Sequence, residues 1–452
     1  MAPSYQSAVA QLYELGHELA NTPSHKFDLV HMRVLLRALG NPQQKFRSVL
    51  IAGTNGKGST AATLAAILQA AGHRTGLYTS PHLVKVNERI RINGEEISDA
   101  DFALSHDRAE HMARWLVSRS ELPWHPSFFE MLTAMTFEHF ARAGVEIAVL
   151  EVGMGGRLDA TNVVEPALSV ITDVSLDHQK FLGDTIAEIA AEKAGIIREG
   201  GIVVTLPQHP QANDVIGRIV LERNATAVNA AAYVPPVAPG AAGTPWDPRA
   251  HGASARNRYP LQVMEREITV DSPLVGRHQL RNLALAIAAA EELSRAGIRV
   301  DADAIESGIR QTRWPGRFQV VPAAAGRPEM VLDVAHNPAG AWALRSALSE
   351  RYEGREITLL FGVLRDKAGA EIAEILFPLA ERVIATQVDN PRSATPEEIR
   401  AAAVRTGAEV GEESNFERAL LLAATATAPR GLLVVTGSIY LVGAAVRWLE
   451  SH

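Results

Sequence analysis

The chain of 452 residues reads as an α/β protein of two domains, each built on a mainly parallel sheet. Three observations carry this. Short apolar runs of strand length alternate with longer helix-period segments almost from end to end. A glycine-rich turn near residue 55 sits between a strand-like run and a helix-like one. Finally, Arg313-Trp314-Pro315-Gly316-Arg317 interrupts both periodicities, so a large domain over 1–315 and a smaller one over 316–452 are expected.

The elements follow in order. Ser48 to Ala52 is apolar enough to be a buried strand, and Ser59 to Ala71 is the helix after it. Thr75 to Thr79 is a second strand. A helix over Met131 to Ala143 precedes a strand over Ile147 to Val152, and another strand spans Leu168 to Thr172. Asp184 to Arg198 is helical and leads into a strand over Ile202 to Thr205. Residues 235–256 hold five prolines and three glycines, a composition that reads as an insertion or extended loop. A β-like segment, Leu261 to Val270, and an alanine-rich helix, Gln279 to Ala296, complete the first domain. Beyond the hinge, strands over Met330 to Val334, Ile357 to Phe361, Arg382 to Thr386 and Leu432 to Thr436 alternate with helices.

Composition excludes several function classes. Hydrophobic residues make up 47% and charged residues 21%, the mix of an ordinary folded protein with a sizeable core. A net charge of -7 argues against a general nucleic-acid binder, which needs a basic surface. With no cysteine, disulfides, zinc-thiolate sites and thiol nucleophiles are excluded. No basic-then-apolar N-terminal segment and no bilayer-length apolar run is visible, so a cytoplasmic protein is expected.

The first strand runs into Gly53-Thr54-Asn55-Gly56-Lys57-Gly58-Ser59-Thr60 and then a helix. Glycines let backbone N–H groups turn toward phosphates, a helix N-terminus adds positive potential, and Lys57 can reach the outer phosphates. A hydroxyl of Ser59 or Thr60 would help hold magnesium. The spacing departs from the usual phosphate-loop pattern, because Ile51 takes the first glycine position and Gly58 separates the lysine from the serine.

Glu151 ends a buried strand, at the end where α/β sheets bind ligands, and Gly153-Met154-Gly155-Gly156 follows directly. Next to a phosphate loop, this carboxylate suits a magnesium-linked role. His178 lies just beyond another strand end. In the helix from Asp184, the residues Ile186, Ile189, Ala190, Lys193, Ala194 and Ile197 share one stripe, so Lys193 points to the face that should be buried. There the amine must be paired, neutralised or modified. The alternative is a lysine that snorkels to solvent from the edge of the stripe, with Glu188 and Glu192 near enough in sequence to pair with it.

These segments together resemble the folylpolyglutamate synthases, in particular the bacterial form that is also a dihydrofolate synthase, within the wider Mur ligase superfamily. The resemblance runs from about Phe27 to the C-terminus. It rests on GTNGKGS at 53–59, TSPHL at 79–83, LEVGMGGRLDATN at 150–162, LDH at 176–178, EKAG at 192–195, PGRFQ at 315–319, DVAHNP at 333–338 and TGS at 436–438. A glycine between the lysine and serine of the phosphate loop is a feature of that family.

The resemblance implies a P-loop N-terminal domain with a smaller Rossmann-like C-terminal domain. It implies an ATP- and Mg2+-dependent ligase that joins L-glutamate to dihydropteroate or to a reduced folate through an acyl phosphate. By the same likeness Asn55, Gly56, Lys57, Gly58, Ser59, Asn282, Arg317 and Asp333 meet ATP, and Ser80, Glu151 and His178 hold magnesium. Lys193 matches a carbamylated lysine (N6-carboxylysine). Asp28, Leu29, Val30, Ser127, Phe128, Phe129, Glu130, Leu158, Asp159 and Ala160 match pterin-binding positions, and His336 and Ser438 match positions for the incoming glutamate. Lys57, His178, Lys193, Asp333 and His336 are the expected catalytic set. The partners expected are small molecules, with no nucleic acid or membrane, and the chain is expected to be a monomer. A cell-wall amino-acid ligase, a P-loop switch that makes no bond and a nucleic-acid-stimulated ATPase are the competing readings.

Overall fold

The computed structural model describes residues 4–16, 29–236, 256–324 and 326–452. Of the expected insertion at 235–256, only Pro235, Pro236 and Arg256 fall within these; the rest lies outside the described residues, as does Asp28. The chain divides into two units. The first comprises Met1–Val234, Leu261–Ile268 and Arg281–Thr312; the second comprises Pro235–Pro260, Thr269–Leu280 and Arg313–His452.

The strands of the first unit are β1 (Arg47–Ala52), β2 (Thr75–Tyr78), β3 (Ile90–Ile92), β4 (Glu95–Glu96), β5 (Ile147–Glu151), β6 (Leu168–Ile171), β7 (Ile202–Thr205) and β8 (Thr226–Asn229). They form one sheet in the order β4-β3-β2-β5-β1-β6-β7-β8. All neighbours from β2 to β8 are parallel, and β3 and β4 extend one edge antiparallel. Its helices are α1 (Tyr5–Glu14), α2 (Leu29–Ala38), α3 (Lys57–Ala70), α4 (Asp99–Ser118), α5 (Phe128–Arg142), α6 (Gln179–Leu182), α7 (Ile186–Ala194) and α8 (Pro210–Glu222). The central strands are buried on both faces, which is why β1 and β5 read as unbroken apolar runs rather than alternating ones.

The segment expected as one β-like stretch is two strands, β9 (Asn257–Val263) and β10 (Arg266–Ser272), paired as a hairpin. Met264 and Glu265 make the turn with φ of 51° and 62°. A two-residue hairpin turn with both φ positive normally carries Asn or Gly, so Met-Glu gave no turn signal in the sequence. Two helices follow, α9 (Arg277–Arg295) and α10 (Ala302–Gln311).

The sheet of the second unit contains β11 (Gln319–Val321), β12 (Glu329–Asp333), β13 (Ile357–Phe361), β14 (Arg382–Ala385), β15 (Val410–Glu412) and β16 (Leu432–Thr436), in the order β11-β12-β16-β13-β14-β15. Only β11 is antiparallel to its neighbour. The connecting helices are α11 (Pro338–Arg351), α12 (Gly369–Leu376), α13 (Pro396–Ala402), α14 (Phe416–Ala426) and α15 (Ile439–Ser451). Each unit has its own apolar core. Among the described residues, no helix is long and apolar enough to cross a membrane.

Helix ends explain most departures from the expected boundaries. The helix expected from Met131 starts three residues earlier, because Ser127 and Glu130 form a reciprocal capping box. Likewise Thr185 and Glu188 cap α7, which ends at Ala194, with Gly195 at its C-cap, instead of running to Arg198. The helix α3 begins at Lys57 itself, so the lysine stands on the first turn. Small residues let α3 be buried almost all round, and Gly308 of α10 lies directly on the backbone of Ala66 and Ile67. A side chain there has nowhere to go. Gly308→Val should therefore lower unfolding free energy by about 3 kcal/mol, from overpacking against a backbone that cannot yield. Urea unfolding of the variant within about 0.5 kcal/mol of the parent would contradict this packing.

Candidate active site

Four consecutive strands of the first sheet, β2-β5-β1-β6, deliver their carboxyl ends to one edge. Ser80 follows β2, Glu151 ends β5, the glycine turn follows β1 and His178 follows β6. In the register of β1 against β5, Ile51 is paired with Glu151, so the turn starts beside this carboxylate. The parallel order thus brings segments over a hundred residues apart to the same end of the sheet.

Gly56 caps α3 in the left-handed region at φ 87°. A Cβ on it would strike the side-chain oxygen of Asn282, so the glycine is what allows α9 to approach the turn. The N–H groups of Thr54 and Asn55 donate to the carbonyl of Asp173, at 2.8 and 3.2 Å. Thr54 also exchanges two hydrogen bonds with Ser175: its hydroxyl donates to the Ser175 carbonyl at 3.0 Å and accepts from the Ser175 amide at 3.1 Å. The side-chain amide of Asn55 donates to Ser175 Oγ. These bonds hold residues 54–55 in place. The helical N–H groups of Lys57, Gly58 and Ser59 start the helix and have no intrahelical acceptor, which is the arrangement that receives anions. Lys57 Nζ donates to the Thr54 carbonyl at 3.2 Å and so curls back over the turn.

Lys193 is 4% exposed, as the helical stripe required, and its Nζ donates to the Gly53 carbonyl at 2.8 Å. Neither nearby glutamate pairs with it: Glu188 is spent on the α7 cap, and Glu192 pairs with Arg157 at 2.8 Å. Burial pushes the Lys193 amine down to about 7, and the positive charge of Lys57 adds to this; Asp177 and Asp159 pull the other way. Asp177 was not singled out from the sequence, although it directly precedes His178. Its carboxylate accepts the His178 N–H at 2.9 Å and lies 3.8 Å from the imidazole.

Glu151 is buried and accepts the Ser80 N–H at 3.2 Å, which brings these two expected magnesium residues together. Among the described residues no group of three or more His, Asp, Glu or Cys is arranged to hold a metal. One carboxylate and one hydroxyl are hard oxygen donors, a set that suits a divalent cation keeping water and phosphate as its other ligands.

The glycine loop after β5 is shaped by Asp159. Its carboxylate accepts from Thr161 N at 3.0 Å, Thr161 Oγ1 at 2.6 Å and Met154 N at 3.1 Å. Burial raises this acid above the usual carboxylate range, against these hydrogen bonds. The neighbouring Ala160 is buried and Leu158 half-buried. Phe129 lies against Gly153, where a Cβ would collide with its ring, and Phe128 stacks on Tyr13 at 5.6 Å. Ser127 and Glu130 are engaged in the α5 cap. Leu29 opens α2 half-buried, and Val30 beside it is exposed.

The other expected residues belong to the second unit, where β12 and β16 are adjacent and Asp333 is in register with Thr436. Asp333 is 8% exposed and accepts from Phe318 N at 2.8 Å and Ala335 N at 2.9 Å. Its carboxyl is raised by burial and held back by the Arg317 charge. His336 Nδ1 lies 2.9 Å from the Val334 carbonyl, and Ser438 caps α15 through Tyr440 N at 3.2 Å.

Residues 129–290 match the Mur ligase middle domain, and residues 316–439 match the Mur ligase, glutamate ligase domain. The chain is 34% identical over 420 residues to the dihydrofolate synthase/folylpolyglutamate synthase of Bacillus subtilis, covering 92% of this chain and 93% of that protein. A crystal structure of Mycobacterium tuberculosis folylpolyglutamate synthase complexed with ADP and AMPPCP superimposes with a TM-score of 0.85 at 34% identity, over 98% of this chain and 99% of that one. An Escherichia coli protein of the group, solved with DHPP and ADP, aligns with a TM-score of 0.82 at 27% identity, over 100% of this chain and 98% of its own. With two Mur ligase domains in order and this likeness along nearly its whole length, the chain belongs to the dihydrofolate synthase/folylpolyglutamate synthase family of Mur ligases.

Proposed function

We propose that the chain is an ATP-dependent carboxylate–amine ligase that adds L-glutamate to dihydropteroate and to the terminal glutamate of reduced folates. The observation that carries this reading is the strand-edge arrangement: a helix-starting glycine turn with Lys57, flanked by Glu151 with Ser80 on one side and by Asp177-His178 on the other. A polyanion is met there by helical N–H groups and a lysine, beside hard oxygen donors. That fits phosphoryl transfer and gives a silent P-loop switch no reason for a second, glutamate ligase domain.

In this scheme an acceptor carboxylate oxygen attacks the γ-phosphorus of ATP, ADP leaves, and an acyl phosphate forms. The glutamate amine then attacks the activated carbonyl and expels phosphate, forming the amide. Lys57 offsets charge on the transferring phosphoryl group, which is positioning and electrostatic work. Magnesium, when bound, would add Lewis-acid stabilisation of the same oxygens, held by Glu151 and the Ser80 hydroxyl. His178, which follows β6 at the same end of the sheet, would join Glu151 and Ser80 in holding the ion. The residues Asn55, Gly56, Gly58, Ser59, Asn282, Arg317 and Asp333 serve ATP, and His336 and Ser438 the glutamate. The segments around Leu29, Phe129 and Asp159 serve the pterin. The protein acts as a cytoplasmic monomer.

Lys193 acts as a carbamate. A neutral amine attacks CO2 and loses a proton, and the product turns the repulsion between Lys193 and Lys57 into attraction.

Two measurements test these assignments. Glutamate addition to dihydropteroate and to a reduced folate, assayed side by side with ATP and Mg2+, should occur with both acceptors. Lys57→Ala and Glu151→Ala should each cut it about 100-fold or more. Near-normal ligation in either variant defeats the site; activity with only one acceptor narrows the substrate. For Lys193, the folded amine near 7 lies below the ordinary lysine value of 10.5, so the unfolded chain holds more protons between them. In CO2-free buffer, wild-type stability relative to Lys193→Met should therefore rise as pH goes from about 7 toward 10, with the full penalty present below 7. Urea unfolding across that range reads the difference. With bicarbonate present, intact-protein mass should show one added carboxyl, lost in acid. A pH-independent difference and an unmodified mass together would mean an ordinary charged lysine.

A further inference from the structure

The Asp173 carboxylate and Arg281 have no role in the site as assigned above, yet they adjoin the phosphate loop through the Asp173 backbone. Asp173 follows β6, and its carbonyl accepts the N–H groups of both Thr54 and Asn55, which makes an isolated antiparallel bridge between Asn55 and Asp173. Its carboxylate is gripped by Arg281 on α9. The guanidinium Nε donates to both carboxylate oxygens, at 3.1 and 3.0 Å, and the terminal nitrogen donates to Oδ1 at 2.5 Å. That same nitrogen also donates to the Pro207 carbonyl at 3.0 Å, which fixes the fork from its far side. The next residue, Asn282, touches Gly56. So α9 reaches the loop at two points: directly at Gly56, and through Asp173 at residues 54 and 55.

Energetics locate the role of this pair. The side chains are 32% and 39% exposed, and ion pairs of that exposure contribute little to folding stability. Their placement matters more for a ligand. The backbone of Asp173 is needed to hold the loop, but its carboxylate brings a negative charge to the rim of a site built for a polyanion. Left alone, that charge repels a polyanion bound at the loop. A planar guanidinium engaging both oxygens removes the repulsion without disturbing the backbone bonds.

We propose that Arg281 is a positioning residue for nucleotide binding, which neutralises Asp173 so that the 173–175 segment can shape the phosphate loop without repelling the phosphates. The proposal rests on reading the loop as an ATP phosphate site. It is tested by titration calorimetry of Mg-ADP and a non-hydrolysable ATP analogue, with steady-state kinetics, on wild type, Arg281→Ala and Arg281→Ala/Asp173→Asn. The single variant should bind nucleotide about 10-fold more weakly and raise KM for ATP to match, with kcat within about 2-fold and glutamate KM unchanged. Its binding defect should shrink as salt is raised. Melting temperature should stay within a few degrees of wild type. The double variant, which removes the unpaired carboxylate, should recover most of the lost affinity. A clamp that acted only as structure predicts the opposite, since a second substitution then adds damage. Wild-type affinity in Arg281→Ala, or no recovery in the double variant, overturns the proposal while leaving the site reading intact; failure of wild type itself to bind nucleotide overturns both.

Discussion

One hydrogen bond organises the phosphate-loop edge: the buried Lys193 amine donates to the carbonyl of Gly53, the residue that follows β1 and opens the loop. Three residues of the loop after β5 are built around the same helix end. Gly156 lies against the Glu192 and Lys193 carbonyls with no room for a side chain, Arg157 N donates to the Glu192 carbonyl at 2.8 Å, and Asn162 donates to the Gly195 carbonyl at 3.2 Å. The end of α7 therefore fixes both the glycine loop after β5 and the base of the turn after β1. A buried polar group must be satisfied or it costs free energy, and here satisfying one amine and a row of helix-terminal carbonyls sets the spacing of the loops.

The electrostatics follow from that arrangement. Lys57 and the start of α3 bring positive potential to one strand edge, with the Lys193 amine close by, while the net charge of the whole chain is -7. Overall sign says nothing about such an edge. What matters is that one of the two amines is buried and lies close to the other's charge, so its protonated form is disfavoured while the half-buried Lys57 stays available to a polyanion. One strand end thus holds two lysines in unlike surroundings, Lys193 buried and Lys57 half-buried.

The inner strands of both sheets were legible because central parallel strands are apolar on both faces, and Ile202–Thr205, Ile357–Phe361 and Leu432–Thr436 begin and end where the apolar runs do, whereas β8, β11 and β15 were not. The burial of Lys193 was legible too, because helical periodicity puts it on the same stripe as Ile189 and Ala190. Other features left no local trace. The edge strands β3 and β4 are short and carry arginine and glutamate, and the hairpin turn uses Met and Glu. Pairing of Glu192 with Arg157, 35 residues away, and of Asp173 with Arg281, 108 residues away, is a product of tertiary structure. A single sequence shows only the neighbours along the chain, which is why Glu188 and Glu192 stood as partners for Lys193.

The uses of the carboxylates sharpen the chemistry further. Glu130 and Glu188 are helix caps, and Glu192 holds Arg157. Asp159 has both oxygens committed to backbone and hydroxyl donors of its own loop, and burial raises it while those bonds resist. An acid locked this way shapes a binding surface; it is poorly placed to exchange a proton with a ligand, because any such exchange must first break bonds that hold the loop together. Glu151 differs in kind. It accepts a hydrogen bond from the backbone of Ser80, just past the end of the neighbouring strand, and that bond brings a hydroxyl-bearing residue to it. Of the acids that the sequence placed around the glycine loop, Glu151 is the one whose structural bond assembles a donor set rather than closing one off.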